Sequence, residues 1–501
     1  MQRFNRFLFV VLGLGLGHVM AQEPVVKTAQ GYIKGVNEHG VAVFRGIPYA
    51  QPPVGALRYK APVVHASWSD TLDALQFGAT AVQPAEKGFN GAEDCLSLNL
   101  YTPGLDDHKR AVVIWVHGGS MTGGSGKGRD GHAFADSDDI VAITINYRLG
   151  ALGFLYLGDV GPEYRASGNL GLLDVIAALQ WVHENIAVFG GDPERVTVMG
   201  ESAGAKLLSA VMVASASKGL YRQAILESGA VQCIRDTVTA KNARTLLLKE
   251  LGLRPDEAVK LLAMPVGTIM EAQAKVCDGI GGNSFFGPVY DGVTIGEDGY
   301  RYAREGKLKG VRVLMGTNES EGASFMPKHV GSDPNATIFK DLFRANAPMV
   351  NTYYKGLLKT DSPYAAVVKT ATQYMYQLHS YRLAAVLSGA GTPVYMYRYR
   401  FQDGRAFGAR HGDELHYIWG KAQIMASSKD DAVRKRLAQS LHGSWVSFIK
   451  TGDPNRDHVV SWPLYSTENR QVMIFNDTDS VIRLNEVYDD KAFPSAVFVI
   501  R

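Results

Sequence analysis

The chain has 501 residues and a formal net charge of +3, from 52 Lys and Arg against 49 Asp and Glu. Its 46% hydrophobic and 20% charged residues are typical of a globular protein and exclude a mainly disordered chain. Because its charge is nearly balanced and its basic runs are short, it lacks the electrostatic footprint of a nucleic-acid-binding protein. We predict one large α/β domain over residues 22–501.

The first 21 residues have the pattern of an export signal. Arg3 and Arg6 precede an apolar run over residues 7–17, and Val-Met-Ala at 19–21 offers small residues before a cleavage point. The apolar run is too short to span a bilayer comfortably. We therefore expect cleavage after Ala21 and a secreted or periplasmic protein with no membrane span.

Strand and helix patterns alternate along most of the chain. An antiparallel hairpin is predicted over 25–36 and 40–44, and the Pro- and Gly-rich stretch 44–58 predicts a fixed loop. Residues 171–188 predict a helix, with Asn169 as candidate N-cap and Gly190 as its stop. Further strands are predicted within 93–102, 111–116, 140–146, 196–200, 223–229, 311–316 and 393–401. This alternation is typical of a mainly parallel sheet.

Two stretches between the later strands, 236–282 and 325–390, predict helices. The second is rich in aromatic and Met side chains, including Phe325, Met375 and Tyr376. Core packing is the favoured use of each such side chain, and the wall of a capped pocket is the alternative.

The sequence leaves two possible contacts between distant residues undecided, a disulfide and an ion pair. Three cysteines in an exported protein leave at least one unpaired; Cys233 and Cys277 could close a disulfide, or all three could be buried apolar groups. Arg45 and Glu93 could form an ion pair, or each could be solvated separately.

The strand over 196–200 runs directly into Gly200-Glu-Ser-Ala-Gly204 and then into helix-forming residues. This is the pattern of a nucleophile elbow, a sharp turn that lifts a serine hydroxyl above the sheet. Glycines flank the serine because a side chain there would collide with the backbone. The helix that follows directs its N-terminal amides to the place where an oxyanion would form. The context of the motif predicts Ser202 as a nucleophile.

A glycine-rich turn over residues 117–125 follows the strand at 111–116. Gly118 and Gly119 either make a tight turn only, or present backbone N–H groups to a developing negative charge. A phosphate-binding loop is excluded, because Lys127 is followed by Gly128 where Ser or Thr is required.

A serine hydroxyl needs a base, and an imidazole suits that role near neutral pH. Of the 13 histidines, His411 stands out because it lies downstream of the serine, just past a strand and within a glycine-flanked loop. His117 and His416 are the alternatives, and structural roles are favoured for both.

The histidine in turn needs a carboxylate that holds its tautomer. Glu319 and Glu321 both lie at the end of a predicted strand, and the glycine after Glu321 favours that residue. The resulting order of Ser202, acid and His411 is that of α/β-hydrolases.

With this order in place, the chain resembles the type-B carboxylesterases, the α/β-hydrolase family that includes cholinesterases and many bacterial esterases. The likeness runs over nearly the whole chain after the leader. The matching stretches are Phe44-Arg-Gly-Ile-Pro-Tyr-Ala50, Glu93-Asp-Cys-Leu-Ser-Leu-Asn99, His117-Gly-Gly119, Asn146-Tyr-Arg-Leu149, Asn169-Leu-Gly-Leu-Leu-Asp174, Phe189-Gly-Gly-Asp-Pro193, Gly200-Glu-Ser-Ala-Gly204, Ile225-Leu-Glu-Ser-Gly229, Asn318-x-x-Glu-Gly322, His411-Gly-x-Glu414 and Gly452-Asp-Pro-Asn455.

The resemblance implies an α/β-hydrolase fold, with a large mainly parallel central sheet, flanking helices and helical cap insertions. It implies Ser202 as nucleophile, His411 as general base and then acid, and Glu321 as the orienting carboxylate. The reaction implied is hydrolysis of small-molecule carboxylic esters through an acyl-enzyme, with no metal or other cofactor. A specialist for aromatic, carbamate, toxin or polymer esters is the narrower alternative, and a non-catalytic binding module of the same fold is the other.

The resemblance also assigns groups around the triad. Glu201 is expected beside the serine in the pocket, and Ser228 is expected to support the triad from behind. The oxyanion donors are expected to be backbone amides, those of Gly119, Ser120 and Ala203, with Gly118 shaping the same loop.

Several positions depart from the family pattern. Ser120 replaces the usual third glycine, and Met121 stands where an aromatic residue is common. Cys95 lacks its usual partner because Ala81 occupies that position, so it is expected to be a free thiol. No tryptophan occurs in 85–92, where cholinesterases have an aromatic platform for a quaternary ammonium group. We therefore do not expect a choline ester to be the preferred substrate.

Overall fold

The computed structural model describes residues 23–331, 333–427, 431–456 and 460–485. The expected export signal over 1–21 lies outside these residues, so the signal and its cleavage after Ala21 remain predictions.

The described residues form sixteen β-strands. They are Val25–Lys27 (β1), Tyr32–Lys34 (β2), Val36–Glu38 (β3), Val41–Pro48 (β4), Leu72–Asp73 (β5), Gln83–Pro84 (β6), Phe89–Asn90 (β7), Ser97–Thr102 (β8), Arg110–Val116 (β9), Val141–Ile145 (β10), Gly191–Glu201 (β11), Gln223–Glu227 (β12), Arg312–Asn318 (β13), Val394–Tyr399 (β14), Gln471–Phe475 (β15) and Ser480–Arg483 (β16).

Eleven of these strands form one mixed sheet in the order β16-β15-β14-β13-β12-β11-β9-β10-β8-β4-β3. The seven strands from β15 to β10 pair in parallel, and the strands at both edges are antiparallel. The predicted mainly parallel central sheet is therefore confirmed. β1, β2 and β5 form a separate three-stranded sheet, so residues 25–44 make two hairpins where the sequence predicted one.

Fourteen α-helices connect and cover these strands. They are His132–Ala135 (α1), Gly150–Phe154 (α2), Leu170–Asn185 (α3), Ala203–Met212 (α4), Thr237–Glu250 (α5), Val266–Val276 (α6), Gly299–Arg304 (α7), Lys340–Phe343 (α8), Ala347–Leu357 (α9), Pro363–Thr372 (α10), Leu378–Gly389 (α11), Leu415–Trp419 (α12), Lys421–Ala426 (α13) and Ala432–Thr451 (α14). The predicted helical character of 236–282 and 325–390 is confirmed by α5, α6 and α8 to α11.

Both faces of the central sheet are buried, which explains the continuous apolar runs of its strands. Along β9, Val112 and Ile114 face a core that includes α3, α4 and α11, whereas Val113 and Trp115 face a second core with α12 and α14. Successive side chains of a strand point to opposite faces, so one apolar run supplies both cores.

The predicted helix over 171–188 is α3 followed by a 3₁₀ turn, and it stops at Gly190 in the left-handed conformation (φ 77°), as predicted. Asn169 occupies the predicted N-cap position of α3, but its side chain makes no cap bond. Its amide instead exchanges hydrogen bonds of 2.8 Å with the backbone of Val289. Asn169 is fully buried, and an unpaired amide there would be costly.

The predicted loop over 44–58 begins as a strand. β4 continues to Pro48 against β8, with a register shift between Phe44 and Ile47. Gly46 absorbs that bulge with φ 72°, and its N–H donates to Asn99 Oδ1 at 3.0 Å.

The candidate ion pair between Arg45 and Glu93 is not formed. Arg45 donates to Glu38 across the β3–β4 hairpin at 2.6 and 2.8 Å, because Glu38 ends β3 and Arg45 lies on the neighbouring strand β4. Glu93 instead accepts from Arg58 Nε at 2.7 Å.

Two of the three cysteines are buried thiols, which agrees with the prediction that they are buried apolar groups. Cys95 is a buried free thiol, as expected. Cys233 is also a buried thiol, which donates to the Lys206 carbonyl at 3.4 Å, so no Cys233–Cys277 disulfide is present.

One helical stretch among the described residues, Pro162–Phe189, is long and apolar enough to cross a membrane by length and composition. Most of its apolar window is buried inside the protein. It also carries Asp174, which pairs with Arg148 at 2.7 Å. These contacts are those of a core helix.

Candidate active site

The turn between β11 and α4 presents Ser202. Its backbone adopts φ 56° and ψ −122°, a strained conformation for a non-glycine residue. A Cβ atom on Gly204 would lie 2.0 Å from the Val116 carbonyl, and one on Gly200 would lie 2.8 Å from the same oxygen. The Ser202 N–H donates to Glu227 O on β12 at 2.8 Å. The neighbouring strands on both sides therefore hold the turn, and only glycine fits beside the serine.

A buried carboxylate orients His411. Glu321 lies just after β13, is fully buried, and contacts His411 Nδ1 through Oε2 at 2.5 Å. Its Oε1 accepts from Ser228 Oγ at 2.6 Å and from the Asn318 N–H at 2.7 Å. Because both carboxylate oxygens are engaged, Glu321 is held in one orientation and fixes the imidazole ring.

The other ring nitrogen of His411 faces Glu201. Glu201 Oε1 lies 3.0 Å from His411 Nε2, without the alignment of a hydrogen bond. Among the described residues, no hydrogen bond joins Ser202 Oγ to this nitrogen. Burial lowers the pKa of His411, but the charges of Glu201 and Glu321 outweigh it and raise the pKa to about 9.

The glycine-rich turn after β9 passes directly over the elbow. A Cβ atom on Gly118 would lie 2.9 Å from Glu201 Oε2 and 3.1 Å from Ser202 Cβ. Gly119, at φ 110°, accepts from the N–H groups of Thr122 and Gly123 at 3.0 and 2.9 Å. Of the alternatives left by the sequence, the tight turn is present, and the presentation of N–H groups to a developing negative charge stays a prediction.

The predicted oxyanion donors are the backbone amides of Gly119, Ser120 and Ala203. Among the described residues, the N–H groups of Gly119 and Ser120 donate to no other group. Ala203 is the first residue of α4, where an N–H has no partner within the helix. Ser120 takes φ 58° in place of the family's third glycine, so its backbone accepts the left-handed conformation that this turn requires.

Two further carboxyl groups, those of Glu414 and Glu227, are buried, and sequence reasoning assigned neither of them a role. Glu414 accepts from Asn318 Nδ2, and burial raises its pKa to about 8. Glu227 accepts from Trp445 Nε1 at 2.6 Å, and burial raises its pKa well above the usual range. Their place in the family-like motifs around Ser228 and His411 was the available signal.

The alternatives considered from sequence occupy other places. His117 stacks on Tyr147 at 4.4 Å, and burial lowers its pKa to about 4. His416 is exposed. Glu319 pairs with Arg400 at 3.1 Å, so its carboxylate is turned away from His411.

A pocket with about 480 Å³ of empty space opens beside Ser202. Its polar members include Lys206 and Arg235, which sequence reasoning missed because nothing local marks them. Phe325 and Tyr376 line it and also pack against the His411 ring, at 5.0 and 4.7 Å between centroids. The lining residues are Ser120, Met121, Ser202, Ala203, Lys206, Gln232, Cys233, Arg235, Asn283, Ser284, Phe286, Phe325, Met375 and Tyr376.

Comparisons with known proteins agree with this architecture. The profile of the Carboxylesterase family matches residues 22–491. Para-nitrobenzyl esterase of Bacillus subtilis (strain 168) is 33% identical over 94% of this chain and 99% of its own length. Phenmedipham hydrolase of Pseudarthrobacter oxydans is 32% identical over 96% and 99%. A solved structure of PNB esterase superposes with a TM-score of 0.84 at 31% identity, covering 94% of this chain and 100% of the other.

The family match covers nearly the whole chain, and the solved relative superposes over 94% of it. The expected α/β-hydrolase fold is therefore confirmed. The chain belongs to the carboxylesterase family, and it is a hydrolase of carboxylic esters.

Proposed function

We propose that this enzyme hydrolyses small-molecule carboxylic esters by two-step acyl transfer with a triad of Ser202, Glu321 and His411. The observation that carries the proposal is the 2.5 Å contact of Glu321 with His411 Nδ1, beside an elbow that presents Ser202. This contact leaves Nε2 of the ring without a hydrogen bond, and Nε2 is the atom that acts as base in the proposal.

In the first step Ser202 Oγ attacks the ester carbonyl and His411 Nε2 takes its proton. The developing oxyanion is stabilised by the amides of Gly119, Ser120 and Ala203, each contributing about 10² to 10³ in rate. His411 then gives the proton to the departing alcohol. Water releases the acid by the same route, so these steps need no metal or organic cofactor.

Two neighbours of the triad act indirectly in this proposal. Ser228 holds Glu321 through its 2.6 Å hydrogen bond. Glu201 places a second negative charge beside His411, which stabilises the imidazolium formed during attack. Gly118 keeps the oxyanion loop close to the serine, because only glycine fits there.

The substrates we propose are esters with small acyl and alcohol groups. Large side chains, those of Phe286, Phe325 and Tyr376, line the pocket beside Ser202 and favour small groups on the substrate. The para-nitrobenzyl esterase relative supports an aromatic alcohol portion as one candidate. A specialist for aromatic, carbamate, toxin or polymer esters remains the narrower version of the same chemistry.

The test is hydrolysis of p-nitrophenyl acetate, butyrate and octanoate by the purified chain, with and without an organophosphate. Organophosphate-sensitive turnover is expected, and Ser202→Ala should lower it by at least roughly 10⁴-fold without unfolding the protein. An Ala variant that stays active would disprove the role of Ser202. A folded protein that is silent on all esters would favour the binding-only alternative.

We also propose export to the periplasm or the medium, with residues 22–501 as a single domain without a membrane span. The support is the charged and apolar pattern of residues 1–21. N-terminal sequencing of the fractionated protein should find Gln22 as the first residue; an intact leader on soluble cytoplasmic protein would contradict export.

A further inference from the structure

The pocket beside Ser202 contains a buried cation without a counter-charge. Arg235 lines this pocket and is only 6% exposed. Its Nη1 donates to the Phe285 carbonyl, whereas Nε and Nη2 have no hydrogen-bond partner. Within the described part of the chain, no carboxylate lies within 4.0 Å of this guanidinium. A buried charge in this state is costly unless something pairs with it.

Other buried arginines of the fold show what a structural guanidinium looks like here. Arg148 is held by the buried Asp174 through two side-chain bonds of 2.7 and 2.8 Å. Arg244 is equally buried and pairs with Asp159. Arg235 has the burial of these residues but not their acidic partner, so its partner is to be sought outside the protein.

The backbone holds Arg235 firmly in this place. Its N–H donates to Pro288 O at 3.0 Å, and its carbonyl accepts from the Tyr290 N–H at 2.8 Å. The Nη1 bond to the Phe285 carbonyl also holds the guanidinium, and a group held in this way loses less entropy when it binds a ligand.

A second cation lines the same pocket. Lys206 lies one turn into α4 from Ser202, and its Nζ lies 5.1 Å from the centre of the Tyr376 ring. Burial lowers the pKa of Lys206 and takes that of Arg235 to about 10, so Arg235 stays charged at neutral pH. We call Lys206 and Arg235 the cationic wall.

The site holds charges of both signs. The carboxylates of Glu201 and Glu321 contact His411, and Lys206 and Arg235 line the pocket that opens at Ser202. An ester with an anionic group on one arm would be oriented by both, because the acids repel that group and the cationic wall attracts it. A neutral ester gains no such orientation.

We propose that the cationic wall recognises a carboxylate on the substrate, and that the preferred substrates are esters carrying a negative charge on the acyl or the alcohol arm. A planar guanidinium matches a carboxylate in shape and charge. The inference rests on the proposed ester hydrolysis at Ser202 and names its substrate class.

Two matched ester pairs test it and locate the charge. Comparing p-nitrophenyl hemiglutarate with p-nitrophenyl valerate tests a charge on the acyl arm. Comparing 4-acetoxybenzoate with methyl 4-acetoxybenzoate tests a charge on the alcohol arm. We expect kcat/KM to be about 10- to 100-fold higher for the anionic member of at least one pair, as for one charge-assisted hydrogen bond.

Variants then assign the preference to the cationic wall. Arg235→Met should lower the ratio of anionic to neutral kcat/KM by about 10- to 100-fold, Arg235→Lys should lower it less, and Lys206→Met should also lower it. The matched control is Arg254, which is exposed and pairs with Asp256 outside the pocket. Arg254→Met removes the same charge and should leave the ratio of anionic to neutral kcat/KM unchanged. A purely structural role of Arg235 would lower both members of a pair equally.

The outcomes separate this inference from the proposed function. If the enzyme hydrolyses neutral esters but prefers neither anionic ester, or if Arg235→Met leaves the ratio intact, the inference is overturned. If no ester is hydrolysed, the proposed function fails first. Should Arg235→Met not fold, competitive inhibition of the unmodified enzyme decides: glutarate should bind at least about tenfold more tightly than glutaramide, and equal binding overturns the inference.

Discussion

Glu201 Oε1 lies 3.0 Å from His411 Nε2, the ring nitrogen that takes the serine proton in the proposed reaction. On its other side the same ring contacts Glu321 at 2.5 Å. Two carboxylates therefore flank one imidazole, although a serine hydrolase needs only one to orient it. This second carboxylate determines at which pH the base becomes available.

The first prediction concerns the pH dependence of turnover. The neutral imidazole is the active form, and the flanking charges raise the pKa of His411 to about 9, so kcat/KM should rise with pH through that region. Glu201→Gln removes one of these charges and should move the rise to lower pH. The measurement is kcat/KM for p-nitrophenyl butyrate from pH 5 to 10.

A control for this profile lies directly after β13. Glu319→Gln removes a carboxylate that pairs with Arg400 and does not contact His411, so it should leave the profile in place. If Glu201→Gln and Glu319→Gln shift the profile equally, the local contact with His411 is not its cause.

Ser228→Ala should lower kcat more than it raises KM. The change removes a 2.6 Å hydrogen bond to a fully buried carboxylate, which costs about 1–3 kcal/mol of unfolding free energy and loosens Glu321. We expect roughly a tenfold loss of kcat, measured with chemical denaturation alongside. Ser209→Ala removes a similarly buried hydroxyl that bonds the Lys206 carbonyl at 2.7 Å, and kcat should stay near its starting value. Equal losses of kcat in both variants would show a general packing effect.

Gly204→Ala should damage both fold and activity. The added Cβ would lie 2.0 Å from the Val116 carbonyl, so the elbow or β9 must shift, at a cost of about 1–3 kcal/mol. We expect a lower melting temperature and at least a roughly hundredfold loss of kcat/KM. At Gly310, by contrast, the added atom meets nothing within 4 Å, so Gly310→Ala is the control. A fully active Gly204→Ala enzyme would contradict the geometry of the turn.

The cysteines should be unreactive in the native protein. Burial raises the pKa of Cys233 to about 12 and that of Cys95 further, and only the thiolate attacks a disulfide reagent. Titration with Ellman's reagent should modify at most one thiol before unfolding and three afterwards. A peptide map that links Cys233 to Cys277 would disprove this expectation.

The sequence alone determined the layered architecture and the residues of the proposed chemistry. Apolar runs of strand length alternate with helical spacing, and the period of each pattern is a property of the local backbone. The glycines at 200 and 204 marked the elbow because the steric demand of that turn is also local. The motifs around His411 and Glu321 added the rest through their resemblance to a family.

Tertiary structure decided which polar groups meet. Arg45 pairs with Glu38 and not with Glu93, and the Asn169 amide bonds the backbone of Val289 and not that of its own helix. The cationic wall joins Lys206 on a helix with Arg235 on a loop. No local pattern in the sequence shows that both line one pocket or that Arg235 lacks a counter-ion. Pairing and desolvation depend on neighbours distant in the chain, so only the folded structure fixes them.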